Sequence, residues 1–280
     1  MLVELAVGDA YGAGFEYVSP ALVRANNDLS GYRRHPRHAN PPGRYTDDTQ
    51  MSLRIAEALV DGIDWTPLNL ATRFVEVFKR DPRGGYASRF HGFLRSVTSG
   101  AQFLAEIRPH SDKSGAAMRA GPLGVLPDLA EVLARSRVQA AITHDTPDGI
   151  GAACAAALMP HYFLYRLGPR ADLGRFLADH VPGNWATPWY EPVGAPGWMS
   201  VRAAVTAVQD AESMSDLLRR CVAVTGDVDT VATIALAAGS CAADLPADLP
   251  AALITGLENG PFGRRYLSDL DERLMSLVAR

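Results

Sequence analysis

Residues 43–51 read GRYTDDTQM. Asp47 and Asp48 stand side by side between Thr46 and Thr49, just ahead of an apolar series at helical spacing. A second stretch, TGDVDTVATIALAAG at 225–239, repeats the arrangement, with Gly226 followed by Asp227, Asp229 and Thr230 at the head of an alanine-rich helix. One such site has an ordinary explanation. Thr46 is a good N-cap, because its hydroxyl can accept a first-turn N–H, and the helix dipole favours acids there. Two of them, each leading into an apolar helix, ask for more. Four carboxylates meeting away from water repel one another unless cations neutralise them. Carboxylate and hydroxyl oxygens are hard ligands that select Mg²⁺, Mn²⁺ or Ca²⁺ over zinc. Two such ions about 3.5–4 Å apart would suit the charge and form a hydrolytic two-metal site.

A third acidic stretch, GDAYGAGFEY at 8–17, places Asp9 and Glu16 beside Gly8, Gly12 and Gly14. Those glycines allow sharp turns or close backbone approach. Taken alone, it reads as a helix ending at a glycine with an exposed glutamate.

The elements that must position these residues are helical. Met51, Ile55 and Leu59 recur at i, i+4, i+8, and Leu70, Phe74 and Phe78 repeat the habit. GIGAACAAALMPHYFLYRLG and VDTVATIALAAGSCAA are small-residue segments suited to the inside of a bundle. No run alternates with period two between turn signals. The expectation is an all-α bundle, one domain over 1–280. Two stretches break the helical pattern: 26–46, polar and basic, and 181–198, which holds three of the four tryptophans. Loops that long in a compact chain are usually functional or disordered, and three tryptophans argue against disorder in the second.

Composition excludes several classes. The chain has 280 residues, is 48% hydrophobic and carries net charge −4, so no global field draws it to nucleic acid or an anionic membrane. Three cysteines without CxxC spacing argue against a disulfide framework or zinc site. No apolar run nears the roughly 20 residues that span a bilayer, and MLVELAVGDAYG has no basic leader region. A cytoplasmic, monomeric protein is the expectation.

Five motifs in order, GDAYGAGFE, YTDDTQM, SGAAMRAGPLG, THDTPDGIGAACAAAL and TGDVDTVATIALAAG, resemble the signature of the ADP-ribosylglycohydrolase family. The resemblance implies a compact orthogonal helical bundle with two Mg²⁺ (or Mn²⁺) ions. It implies a hydrolase that cleaves the C1″ bond between ADP-ribose and an acceptor such as an arginine or serine side chain, a small molecule or a nucleic acid. The metal ligands it implies are Thr46, Asp47, Asp48, Asp227, Asp229 and Thr230, with Glu16 and Asp48 as catalytic residues. Ser114, Gly115, Met118, Arg119 and His144 fall on the ADP-ribose cradle. A helix start at Ser114–Gly115 suits a diphosphate, while Arg119 could instead pair with a carboxylate inside the bundle. The sequence departs from the family pattern at Thr225, where a glycine is common, and at Val228, Thr146, Ser114, Gly14 and Tyr11. Three other readings stand beside this one. They are a non-catalytic ADP-ribose-binding module, an HD-type nucleotide phosphohydrolase built on His144–Asp145 with His91 or His110, and a bundle merely stabilised by cations.

Overall fold

The computed structural model describes residues 1–278. Among them fifteen α-helices and two short 3-10 turns form, and no strand; extended pairing is limited to isolated bridges, Lys113 with Pro196 and Val193 with Gly226. The all-α expectation holds. Helix starts follow local chemistry. Thr66, Thr146 and Ser213 each accept a backbone N–H three residues on, from Asn69, Gly149 and Asp216, and Pro67 and Pro147 occupy first-turn positions where a missing N–H costs nothing.

Two helices are buried around their circumference. Val228–Gly239 exposes no residue, and Pro147–Leu164 is buried continuously from Gly151 to Phe163. Helices apolar on every side belong at the centre. Leu2–Gly12, Gly197–Asp210 and Met214–Ala223 pack around the first of them, and Leu129–Ala141 and Gly197–Asp210 around the second. The tightest approach is made by Leu2–Gly12. A methyl added at Gly8 would lie 2.7 Å from the Ala232 carbonyl oxygen, and one at Gly12 would lie 2.5 Å from Cα of Asp229. Glycines four apart make one bare strip on a helix, and this strip lets the first helix lie against the second acidic helix start.

Asp47–Val60 is buried from Asp47 to Leu59 although it carries Arg54 and Glu57. Arg54 Nη1 donates to Glu57 at 2.5 Å and Arg80 Nη2 donates to Glu57 at 2.6 Å, with Glu76 and the Tyr266 hydroxyl completing the network. Paired this way, the buried charges fix the helix against Pro67–Arg80 and Arg264–Met275. The tryptophan-rich stretch ends at Pro196, because Gly197 and Trp198 already belong to a helix. Trp185 is buried with its Nε1 donating to Val181 O at 3.0 Å, and Trp189 meets Trp198 edge-to-face at 5.4 Å beneath Arg202.

Gly8→Ala should lower stability by about 1–3 kcal/mol, the usual cost of overpacking. The urea midpoint checks this. An unchanged midpoint would mean that the first helix and Val228–Gly239 are not in close contact.

Candidate active site

Asp9 organises the first acidic helix start from 37 residues away. Its fully buried carboxylate accepts the Thr46 N–H (2.9 Å) and hydroxyl (2.8 Å), then the Thr49 N–H (3.0 Å) and hydroxyl (2.6 Å). Thr46 Oγ1 in turn accepts the Asp48 N–H at 3.4 Å, the N-cap expected from sequence. Asp47 donates its N–H to Gly84 O at 3.1 Å. Gly85, at φ +98°, lies so close that a side chain there would strike Asp47 Oδ1. The two carboxylates therefore begin a capped helix but point into a space closed by other segments. Asp48 Oδ1 is buried and has no protein partner.

The second start is reached through two left-handed residues, Thr225 (φ +65°) and Gly226 (φ +93°). A β-branched residue is an outlier there, which gives the physical reason a glycine suits the position. Val193 stitches the turn on both sides, donating to Thr225 O at 2.9 Å and accepting from Asp227 N at 3.0 Å. Asp227 and Asp229 then meet Glu16, with one oxygen from each of the three lying within 4.8 Å of the others.

The two starts converge. Burial pushes Asp48 well above the usual carboxylate range, and Asp47, Asp9 and Asp227 push it further. Asp229 rises through burial and then through Glu16, Asp48 and Asp227. Burial also raises Asp227, opposed by the Ser114, Asp229 and Thr230 side chains beside it. Glu16, half-buried at the rim, is pushed up to about 7 by burial and by Asp227 and Asp9, with Arg37 opposing. A cluster of oxygens that resists ionisation, with one orphaned buried oxygen, has the chemistry of a hard-cation site. Glu16, Asp227 and Asp229 could hold an ion together. Asp47 and Asp48 stand outside that trio but within electrostatic reach of it.

The residues expected to cradle substrate divide into two layers. Ser114 stands beside Asp227, and a methyl added at Gly115 would lie 3.0 Å from His144 Cε1 and 3.3 Å from Nε2. Ser114, Gly115 and His144 thus form one edge of the acidic site. Gly115–Met118 is a single turn whose Ser114 side chain makes no capping hydrogen bond to it, a weaker N-terminus than the sequence suggested. Met118 is buried and lends its carbonyl to Ser52. Arg119 lies behind this edge. Its guanidinium is fully buried, stacked 4.6 Å over Phe74, and donates to Gln139 Oε1 (2.6 Å), Gln139 O (2.8 Å) and Thr143 Oγ1 (2.8 Å) rather than to a carboxylate. Thr143 Oγ1, which accepts from Arg119, also lies 2.7 Å from His144 Nδ1. The other ring nitrogen, Nε2, is the one near Gly115. Arg119 is thus linked to His144 through Thr143.

Two residues of this site carried no local signal as site builders. Asp9 read as a flank of glycine turns, and Thr143 stood at the head of the THDTPDG stretch with no role of its own; their partners are set by packing. The HD arrangement does not form. Asp145 is exposed, and the trio of Glu16, Asp227 and Asp229 is the one multi-residue candidate ion site among the described residues, with no histidine in it.

A strandless helical fold around a buried, oxygen-only acidic centre defines a class: an α-helical protein with an acidic group that could hold a metal ion. The comparisons with known proteins are more specific. The family model described as ADP-ribosylglycohydrolase matches residues 1–280, and the chain belongs to that family. It is 29% identical over 146 residues to ADP-ribosylhydrolase ARH3 of Xenopus tropicalis, covering 49% of this chain and 41% of that protein. It is 25% identical over 249 residues to the ADP-ribosyl-[dinitrogen reductase] glycohydrolase of Rhodospirillum rubrum, covering 82% of this chain and 80% of that protein. The matched stretch spans about half the length of the ARH3 relatives. A solved structure described as an ADP-ribosylglycohydrolase-related protein complex superposes with a TM-score of 0.77 over 99% of this chain and 96% of that one; at 23% identity it speaks for the fold alone.

His144 is held neutral, its pKa pushed down to about 3 from 6.5 by burial and by Arg119 and Lys113. Between those values the unfolded chain binds a proton that the folded chain does not, so stability falls as pH drops below about 6.5. His144→Gln should remove about 1–2 kcal/mol of the stability lost between pH 7 and pH 5. Urea unfolding at the two pH values measures it; an unchanged pH dependence would show that His144 is not kept neutral.

Proposed function

We propose that this chain is a hydrolase that releases ADP-ribose from a modified acceptor by breaking the C1″ glycosidic bond at a dinuclear Mg²⁺ (or Mn²⁺) centre. The observation that carries the proposal is the convergence of Glu16, Asp227 and Asp229 beside Asp48, whose Oδ1 is buried without a partner. Family membership supports the substrate class, as does the likeness to an ADP-ribosylhydrolase and to the ADP-ribosyl-[dinitrogen reductase] glycohydrolase.

In this reading Thr46, Asp47, Asp48, Asp227, Asp229 and Thr230 would hold the cations. When bound, these supply charge neutralisation and Lewis-acid activation of water. The chain's own groups do the rest. Asp9 keeps Thr46 and its two neighbouring aspartates in register by four hydrogen bonds. Glu16, the half-buried acid at the rim, is placed to take a proton from water or pass it to the departing acceptor. Asp48 assists from the other helix start. Ser114, the Gly115 N–H and the neutral imidazole of His144 line one edge, suited to ribose hydroxyls and phosphate oxygens, with Arg119 and Thr143 behind that histidine. The enclosing segments around 84–85 and 193 keep bulk water from the carboxylates.

Calorimetric titration of ADP-ribose should show saturable binding in Mg²⁺ that weakens in EDTA. Glu16→Gln should lower kcat by roughly 10²–10⁴-fold, the range of general acid–base catalysis. Asp229→Asn should weaken Mg²⁺ binding by at least about 10-fold. Wild-type turnover by Asp229→Asn would overturn the two-metal reading, and tight ADP-ribose binding with no turnover would favour a reader module instead.

A further inference from the structure

The basic stretch 27–46 lies between the helices Pro20–Asn26 and Asp47–Val60, and nothing above uses its middle. There the structure shows an unusual set of contacts with the glutamate turn. His35 is buried, and its Nε2 lies 2.8 Å from the main-chain oxygen of Glu16. Its Nδ1 accepts two backbone N–H groups, from Arg37 and His38, each at 3.0 Å. A nitrogen that accepts carries no proton, so the ring is the Nε2–H tautomer and donates to Glu16 O. Two residues on, Arg37 Nη2 donates to Tyr17 O at 2.7 Å. The N–H of Tyr17 donates to Gly226 O at 2.8 Å, tying the same turn to the second acidic helix start. Gly14 abuts the Arg33 carbonyl, where an added methyl would come within 2.8 Å.

Three successive main-chain groups, Glu16 O, Tyr17 N–H and Tyr17 O, are thus pinned. The pinning has something to restrain. Tyr17 sits at φ +48°, a left-handed conformation that is strained for a non-glycine residue. Such strain persists only where surrounding contacts enforce it. The Glu16 carboxylate makes no hydrogen bond of its own among the described residues, so its direction follows from the backbone that carries it.

We propose that His35 and Arg37 are positioning residues that hold the Glu16–Tyr17 turn in its strained form and so aim the Glu16 carboxylate at Asp227 and Asp229. The proposal rests on the functional reading above for the role of Glu16, but the clamp itself is a statement about the fold. Its ring chemistry separates two conservative changes. His35→Asn keeps an acceptor for the Arg37 and His38 N–H groups, as in an Asx-turn, and removes the donor to Glu16 O. His35→Gln restores an amide donor at the reach of Nε2.

The test uses the whole chain and three variants, His35→Asn, His35→Gln and Arg37→Ala. The readouts are hydrolysis of ADP-ribosylated arginine and serine substrates, Mg²⁺ titration by calorimetry, thermal melting, and hydrogen exchange of the Tyr17 amide. Expected for His35→Asn is a roughly 10–100-fold loss in kcat, the range seen when a group that orients an active-site ligand is removed. KM should stay within about threefold, melting should be unchanged and the Tyr17 amide should exchange faster. His35→Gln should recover most of the loss, and Arg37→Ala should show a smaller loss of the same kind. Wild-type kcat and wild-type Tyr17 exchange in both His35→Asn and Arg37→Ala would overturn the proposal, as would a loss in kcat that only tracks a lower melting temperature. If the wild-type chain turns over neither substrate, the functional reading fails by itself, and the Tyr17 exchange still decides whether the clamp exists.

Discussion

The constraint on which the structure depends is the burial of like charge. Asp9, Asp47, Asp48, Asp227 and Asp229 are all buried, and Glu16 stands half-buried beside them. Burial disfavours the ionised form of each, and mutual repulsion adds to it. A fold that pays this cost must hold the groups rigidly. It does so with hydrogen bonds to main-chain and hydroxyl groups. Asp9 receives four such bonds, which tie the end of the first helix to the start of Asp47–Val60. The Val193 backbone secures the 225–227 turn on both sides.

Convergence of the helix starts also requires close backbones. Gly8 and Gly12 let the first helix lie directly on Val228–Gly239, so that Asp9 and Glu16 arrive beside Asp229. The alanine-rich interiors of the two central helices serve the same end. The Arg54–Glu57–Arg80 network locks Asp47–Val60 against its neighbours. Arg83, stacked on Tyr45 and paired with Asp81 and Glu258, anchors the segment that closes over Asp47.

The edge formed by Ser114, Gly115 and His144 shows how one buried cation can act on a neighbouring group without touching it. Arg119 is fully committed to Gln139 and Thr143. Burial holds His144 neutral, and the Arg119 charge beyond Thr143 adds to that effect. The departures from the family pattern also have local meaning. Thr225 accepts a left-handed conformation that a glycine would adopt without strain, while the aspartates it leads to keep their places.

The sequence by itself determined what is local. Threonine caps, first-turn prolines and apolar spacing specify where helices begin and which faces turn inward. Paired acids beside hydroxyls point to an acidic group that could hold a metal ion, and the ordered motifs specify the family. These signals act within one or two turns of chain, so a linear reading recovers them. What only the tertiary structure decided is which of these local units meet. Asp9 recognises Thr46 and Thr49 at separations of 37 and 40 residues, His35 reaches back to Glu16, and Arg119 faces Gln139 and Thr143 and no carboxylate. The aromatic stretch read as loop as far as Trp198 gives its end to a helix for the same reason, since the packing of Gly197 against Lys113 and Ser114 sets that start. Such pairings depend on the angles and spacings at which whole helices pack, and no short window of sequence carries them.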